Sequence, residues 1–154
     1  MARNDGTTPA FTAAGNGHLD CLKFIAEAAP ESLAVADDDG DMPAFMAVLE
    51  GHLDCLKFIA EAAPESLGVA DDNGVTTAIA AAQEGHLDCL KFIAEAAPES
   101  LTVADNDGET FALLAALDGH LHFLKFNAEV RPESLTVKSA QRRLSYTLLA
   151  ACSH

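Results

Sequence analysis

Three cysteines recur in this chain at one fixed spacing, so their chemistry has to be considered together. Cys21, Cys55 and Cys89 lie 34 residues apart, and thiols can form disulfides or bind a metal. If each repeat contributes one helix to a stack, equivalent positions lie about 8–10 Å apart. That separation exceeds the roughly 7 Å Cα limit for a disulfide and a zinc–sulfur bond of about 2.3 Å. Because Phe123 takes the fourth position, we expect thiols buried in an apolar core.

Histidines recur with the same period. They are His18, His52, His86 and His120. A row of imidazoles can bind metal ions or relay protons, but neighbouring positions are again too far apart to share one ion. His122 and His154 have no equivalent in the other repeats. We therefore expect this row to have a structural role.

An acidic turn from Asp37 to Asp41 is similar in composition to a calcium-binding loop. When Gly40 is aligned with the invariant glycine of that loop, Val35 and Met46 fall where the first and last acidic ligands are required. A solvated acidic turn is therefore the better interpretation. The chain also has no glycine-rich phosphate loop, no Ser/His/Asp set and no paired catalytic carboxylates. We predict no catalytic residue, no metal, no cofactor and no enzymatic activity.

The elements that position these residues are copies of one another. Residues 17–33 recur unchanged from Gly51 and from Gly85, and a degraded fourth copy starts at Gly119. Self-similarity at a fixed period of this size indicates a solenoid, in which each unit buries its apolar face against its neighbours. Such a chain has a repeated surface and no obvious unique pocket, which favours binding over catalysis.

Each unit can be divided into two short helices and a turn. In the first unit Thr8 can cap a helix that has Pro9 at its first position and stops at Gly17. A second helix is predicted from about Leu19 until Pro30, because the residue before a proline is pushed out of helical geometry. Apolar residues cover most of the circumference of this second helix, so it has to lie between neighbours.

Composition excludes several classes of partner. The 154 residues carry 24 acids and 9 bases, a formal net charge of −15, which repels phosphate groups. We expect no nucleic acid and no membrane as partners, since no apolar stretch approaches the length that a bilayer requires. Four cysteines without Cys-x-x-Cys spacing, and no charged-then-apolar leader, indicate a reducing compartment, and we predict a cytoplasmic location.

The order of motifs within a unit resembles the ankyrin repeat. The first copy carries it as Asp5-Gly6-Thr7-Thr8-Pro9, then Ala13-Ala14, then Gly17-His18-Leu19-Asp20. The resemblance implies an all-α, ankyrin-type helix-turn-helix solenoid, with the histidine at the start of the second helix bonded to adjacent backbone. We expect one domain over residues 1–154. Its repeats are predicted at about 3–36, 37–70, 71–104 and 105–138, with a terminal half-repeat at 139–154.

The chain departs from the family pattern in three ways. The period is 34 residues rather than about 33, and we place the added residue in the connector that follows the second helix. The family's histidine after Thr-Pro-Leu is replaced by Phe11, Phe45, Ile79 and Leu113. Thr-Pro itself becomes Met42-Pro43, Thr76-Thr77 and Thr110-Phe111, so we expect weaker helix starts in those repeats.

The ends of the array have no polar cap in sequence. Residues 145–151 match residues 110–116 at an offset of 35, which predicts the first helix of a fifth unit. The first unit carries the same apolar second helix as the middle units, although solenoid ends normally need a polar outer face. Either the chain is part of a longer array or its ends associate. Arg142-Arg143-Leu144-Ser145 also resembles a basophilic kinase site, although a simple helix-start serine is the better explanation.

The repeats differ from one another mainly at the turn tips and along the first helices. In ankyrin-like proteins these parts line the concave surface that holds partners, and drift of solvent-facing residues is the alternative explanation. We predict partner-binding residues Asp38, Asp41, Leu49, Glu50, Asp72, Val75, Gln83, Glu84, Glu109, Leu117 and Asp118. The predicted partner is a protein with a basic segment and an apolar anchor. The alternative is a designed or structural scaffold without a cognate ligand, self-associating end to end as a homo-oligomer.

Overall fold

The computed structural model describes residues 5–136, and the regular secondary structure of this part of the chain is all helical, with no strand. Four pairs of helices follow one another, and each pair ends in a short 3-10 helix. The first helices of the pairs are α1 (Pro9–Gly15), α3 (Pro43–Leu49), α5 (Thr77–Glu84) and α7 (Phe111–Leu117). The second helices are α2 (Leu19–Ala28), α4 (Leu53–Ala62), α6 (Leu87–Ala96) and α8 (Leu121–Val130). The 3-10 helices are Pro30–Ala34, Pro64–Gly68, Pro98–Thr102 and Pro132–Thr136.

The pairs stack in the order of the sequence. Helix α1 packs on α3, α3 on α5 and α5 on α7, which makes a layer of first helices. Helix α2 packs on α4 and α4 on α6, which makes a second layer. The all-α helix-turn-helix solenoid is therefore confirmed. The predicted half-repeat 139–154 and Ser145 lie outside the described residues, and the repeat boundaries stay predictions.

The core is made of leucines and small residues that recur from repeat to repeat. Leu22, Leu56 and Leu90 of the second helices are fully buried. Cys55 and Cys89 are each 1% exposed, which confirms the prediction of core thiols for these two. Cys21 is exposed, and the prediction is wrong there. The same side of the helix that packs on a preceding repeat at Cys55 has no described neighbour at Cys21.

The first helices differ in whether a side chain caps their N-terminus. The backbone N–H of Phe11 donates to Thr8 Oγ1 at 3.2 Å, and the hydroxyl oxygens of Thr76 and Thr110 accept from Ile79 N and Leu113 N. Met42 gives α3 no side-chain cap. Weaker starts were expected in the second, third and fourth repeats. The expectation holds for α3 and is wrong for the two threonine-capped helices, because the hydroxyl and not the following proline supplies the acceptor.

The turn between the two helices of a pair links neighbouring repeats through glycine and histidine. Gly51 has φ of 77°, a left-handed conformation that favours glycine. A Cβ on Gly17 would lie 2.7 Å from His52 Nδ1, so the ring of one repeat covers the glycine of the repeat before it. His86 Nε2 lies 3.2 Å from the carbonyl oxygen of Leu49, which belongs to the repeat before it. The predicted structural role is thus observed for His52 and His86.

Candidate protein-binding surface

Each repeat projects a turn, here called a finger, that an aspartate side chain holds closed. Asp37 Oδ1 accepts from the backbone N–H of Asp39 at 3.0 Å and of Asp41 at 2.9 Å. Asp71 and Asp105 repeat this arrangement in the next two fingers. Each of these three aspartates accepts two backbone hydrogen bonds at its Oδ1, so its primary role is to shape the finger.

Consecutive fingers are joined into a continuous row. The joining backbone hydrogen bonds run from Asp38 N to Asp5 O, from Asp72 N to Asp39 O and from Asn106 N to Asn73 O. Gly40 has φ of 84°, and a Cβ there would lie 2.7 Å from Asp72 Oδ1. Asp38 makes the same approach to Gly6. Asp38 and Asp72 are solvent-exposed. These contacts nevertheless fix each of them against the finger before it.

The eleven residues predicted for partner binding fall in two rows. The finger row comprises Asp38, Asp41, Asp72, Val75 and Glu109. The helix-end row comprises Leu49, Glu50, Gln83, Glu84, Leu117 and Asp118, at the C-terminal ends of α3, α5 and α7. None of them is buried. Burial raises the pKa of Glu109 most, and the charges of Asp105, Asp107 and, last, Asp118 add to it, so the two rows lie within electrostatic reach of each other in the fourth repeat.

Burial and like charges disfavour ionisation of two carboxyl groups in the finger row, those of Asp41 and Glu109. Burial raises the pKa of Asp41 to about 6, and the charges of Asp37, Asp71, Asp39 and Asp72 add to the effect. Asp41 Oδ1 is buried and has no hydrogen-bond partner among the described residues. Burial, followed by Asp105, Asp107 and Asp118, also raises the pKa of Glu109. The free fold therefore pays an energetic cost for keeping these carboxylates together.

The helix-end row places its acids where a helix least tolerates them. The C-terminal end of a helix carries a partial negative charge, which disfavours anions. Glu50, Glu84 and Asp118 all lie at such ends. By contrast, the second helices carry Asp20, Asp54 and Asp88 in their first turns, where an anion is stabilised. Helix stability explains the acids at the starts of the second helices. It does not explain the acids at the ends of the first helices.

Charge is segregated between the two layers of the solenoid. The lysines of the described residues are Lys23, Lys57, Lys91 and Lys125, and all of them lie on second helices. The fingers and first helices between residues 5 and 118 carry acids and no Lys or Arg. One side of the array therefore has an uncompensated negative charge, while the other side mixes both signs.

Two of the clefts in the described part of the chain recur from one repeat to the next. Two open clefts of about 320 and 290 Å³ lie at the start of α4 and of α6 and are repeat-equivalent. Residues 5–136 contain no group of three or more His, Cys, Asp or Glu side chains that could hold a metal ion. None of the helices in this span is long and apolar enough to cross a bilayer. The surface repeats, as a stack of like units requires.

Sequence reasoning missed the apolar side chains at the two ends of the described array. Phe24 on α2 is 71% exposed and Leu121 on α8 is 60% exposed. Their equivalents in the inner repeats are half-buried, among them Phe58 and Leu53. The sequence did show that the first unit has no polar cap. That observation predicts an exposed apolar end but does not identify which side chains are exposed.

The stacked helix pairs and the repeated surface define a repeat protein of the solenoid class. A family model described as ankyrin repeats (3 copies) matches residues 1–67, and one described as ankyrin repeats (many copies) matches residues 70–126. The chain belongs to the ankyrin repeat family. Ankyrin repeats generally mediate protein–protein interaction and are typically non-enzymatic. A search of curated proteins found no match to this sequence.

Proposed function

We propose that this chain is a non-enzymatic binding module whose acidic concave face, made of the finger row and the helix-end row, holds a basic protein segment. The observation that carries the proposal is the retention of Glu50, Glu84 and Asp118 at helix C-termini, where they oppose helix stability. A residue that costs the fold energy in three repeats is best explained by what it binds.

The same face offers apolar contacts between its acids. Leu49 and Leu117 are half-buried at the ends of α3 and α7, and Val75 is half-buried on its finger. An apolar side chain of the partner would gain free energy by covering one of them, at roughly 25 cal/mol per Å². The proposed partner segment is therefore rich in Lys and Arg and carries at least one large apolar residue.

The test is a selection of random peptides displayed on phage against the intact protein. We expect the recovered peptides to be enriched in Lys and Arg with an apolar anchor. The variant Glu50→Lys/Glu84→Lys should bind them at least about tenfold more weakly, because two attractive pairs become repulsive. The matched control is Glu61→Lys/Glu95→Lys, which makes the same change of net charge on exposed positions of second helices.

The control variant should bind the peptides almost as tightly as the parent protein. Equal weakening in both double variants would mean that the peptides respond to net charge and not to this face. Recovery of acidic peptides, or binding that strengthens with salt, would also contradict the proposal, since screening weakens attraction between exposed opposite charges.

The proposal includes a reducing, cytoplasmic location. Cys21, Cys55 and Cys89 are free thiols in the described residues, which accords with that environment. Treatment of producing cells with a membrane-permeable alkylating reagent before lysis should label the exposed Cys21. Protein recovered with Cys21 blocked in a disulfide would contradict this location.

A second candidate function is a structural scaffold that self-associates end to end. The observation that favours it is the exposure of large apolar side chains on the first and last described repeats, Phe24 at 71% and Leu121 at 60%. Patches of this kind commonly mark association surfaces. The mass of the full chain, measured by light scattering over a range of concentrations, tests it: a rising mass supports the scaffold, and a constant monomer contradicts it.

A further inference from the structure

One side of the first repeat is an interface without an occupant among the described residues. Cys21 is exposed, whereas Cys55 and Cys89 are each 1% exposed. Ile25 is half-exposed, whereas Ile59 is fully buried. Together with Phe24, which is 71% exposed, these residues make up what we call the N-terminal face.

The structure itself shows what the N-terminal face is built to contact. Residues 17–33 are identical to residues 51–67 and 85–101. In the second and third repeats, this helix packs against the second helix of the repeat before it, α4 on α2 and α6 on α4. Identical side chains in the same helix geometry form the same complementary surface. The N-terminal face is therefore complementary to the surface that a repeat of this kind presents to the repeat after it.

The last described repeat exposes the surface that inner repeats use to contact the repeat after them. Leu135 is 47% exposed, although its equivalents Leu33, Leu67 and Leu101 are at most 1% exposed where another repeat follows them. Leu121 is 60% exposed on the adjacent helix α8. We call Leu121 and Leu135 the C-terminal face. Within residues 5–136, the first and last repeats thus carry the two halves of the repeat–repeat interface that no described repeat covers.

We propose that the N-terminal face binds the C-terminal face of a second copy of this chain, continuing the stack from one molecule into the next. This inference rests on the scaffold candidate and specifies its contact and its direction. The contact is head to tail, so it does not close on itself and produces open chains of copies. Each copy carries a net charge of −15, so salt should strengthen this contact by screening repulsion.

The test uses two full-length variants that each block one face. Phe24→Asp removes the apolar centre of the N-terminal face, and Leu135→Asp does the same at the C-terminal face. Each variant alone should stay monomeric at concentrations at least about tenfold above those at which the parent protein associates. Mixed together they should form a one-to-one dimer and nothing larger, because the mixture retains one intact face of each kind. Sedimentation velocity measures both results.

Val69→Asp is the matched control, because Val69 is 39% exposed in the middle of the array and lies on neither end face. It introduces the same charge and should associate as the parent protein does. Circular dichroism melts of the three variants should show a single folded form, since all three positions are solvent-exposed.

Three results would overturn the inference, and they separate it from the functions proposed above. A dimer formed by Leu135→Asp alone would show that two N-terminal faces meet each other. Association unaffected by Phe24→Asp would leave the scaffold standing with a different contact. A parent protein that remains monomeric at every concentration and salt would remove both the scaffold and this contact, and would leave the peptide-binding face untouched.

A second measurement follows the contact at a single atom. In a Cys152→Ser background, Cys21 is the exposed thiol, while Cys55 and Cys89 are buried. Stacking buries Cys21 against the next copy, so its reaction with a disulfide reagent should slow by at least about tenfold as the protein associates. An unchanged rate in associated protein would contradict the assigned face.

Discussion

At the scale of single residues, one buried polar side chain departs from the repeat. Asn127 is fully buried where Ile59 and Ile93 stand in the inner repeats. Its Nδ2 donates to Ser134 Oγ, but its Oδ1 is buried and has no hydrogen-bond partner within residues 5–136. Ser66 and Ser100 need no such donor, because they satisfy themselves by donating to carbonyl oxygens within their own turns. The Oδ1 of Asn127 therefore carries a desolvation cost that no hydrogen bond among the described residues offsets.

We expect Asn127→Ile to stabilise the fold by about 1–3 kcal/mol, the cost of one unsatisfied buried polar group. Urea unfolding of the full chain measures the change in the free energy of unfolding. The matched control is Ile93→Asn, which puts the same polar group at the equivalent position one repeat earlier and should destabilise. A loss of stability in Asn127→Ile would mean that its amide makes a contact that the isoleucine cannot replace.

Asp41 gives the second prediction at this scale, and its sign depends on pH. The pKa of Asp41 in the fold is about 6, above the ordinary value of 3.8. Below about pH 3.8 the carboxyl group is neutral in both the folded and the unfolded protein. As the pH rises through about 6 the folded protein loses stability relative to a neutral side chain. Asp41→Asn should therefore raise the melting temperature at about pH 8 and leave it nearly unchanged at about pH 3.

Thermal melts across this range measure the effect. Glu61→Gln is the control, since it makes the same change from carboxyl to amide at an exposed position on α4. An equal shift of the Asp41→Asn melting temperature at all pH values would show that the change acts through packing and not through ionisation.

At the scale of elements, the four first helices share a position but not a cap. Thr8, Thr76 and Thr110 accept a backbone hydrogen bond at the start of their helices, and Met42 cannot. Met42→Thr should therefore stabilise the protein by about 1 kcal/mol relative to Met42→Val. The valine variant has nearly the same shape without the hydroxyl, so the comparison removes the effect of losing the methionine side chain. Equal stabilities would show that α3 has no free N–H for a cap.

The sequence predicted these elements well because each repeat contains its own start and stop signals. Pro30 marks the end of α2, and the predicted connector after it forms a 3-10 helix. What could not be predicted is how the same residue differs between repeats. Cys21 and Cys55 have identical sequence neighbours, yet one is exposed and the other buried, since burial depends on the adjoining repeat. The binding residues were likewise predicted from their positions in the repeat. That the acids of the helix-end row lie at unfavourable helix C-termini became clear only when the structure showed where the first helices end.

At the scale of the whole molecule, a stack of like units has a stability that varies along its length. In a solenoid the stability is approximately a sum over repeats and the interfaces between neighbours. The second and third repeats, which contain α4 and α6, each pack on a repeat at both sides, whereas the first repeat packs on one other repeat within the described residues. Helix α8 carries the unsatisfied Asn127 in addition. Local opening should therefore begin in the terminal repeats and reach α4 and α6 last.

Hydrogen exchange followed by mass spectrometry measures this gradient in the full chain. We expect amides of α8 and α2 to exchange at least about tenfold faster than those of α4 and α6. Because Asn127→Ile acts on the fourth repeat, it should slow exchange in α8 and leave α2 as it was. Slowing of every helix by the same factor would show that the array opens as one cooperative unit. The same experiment bears on stacking between copies, because contact through the N-terminal face would protect α2 as the concentration rises, without any change in sequence.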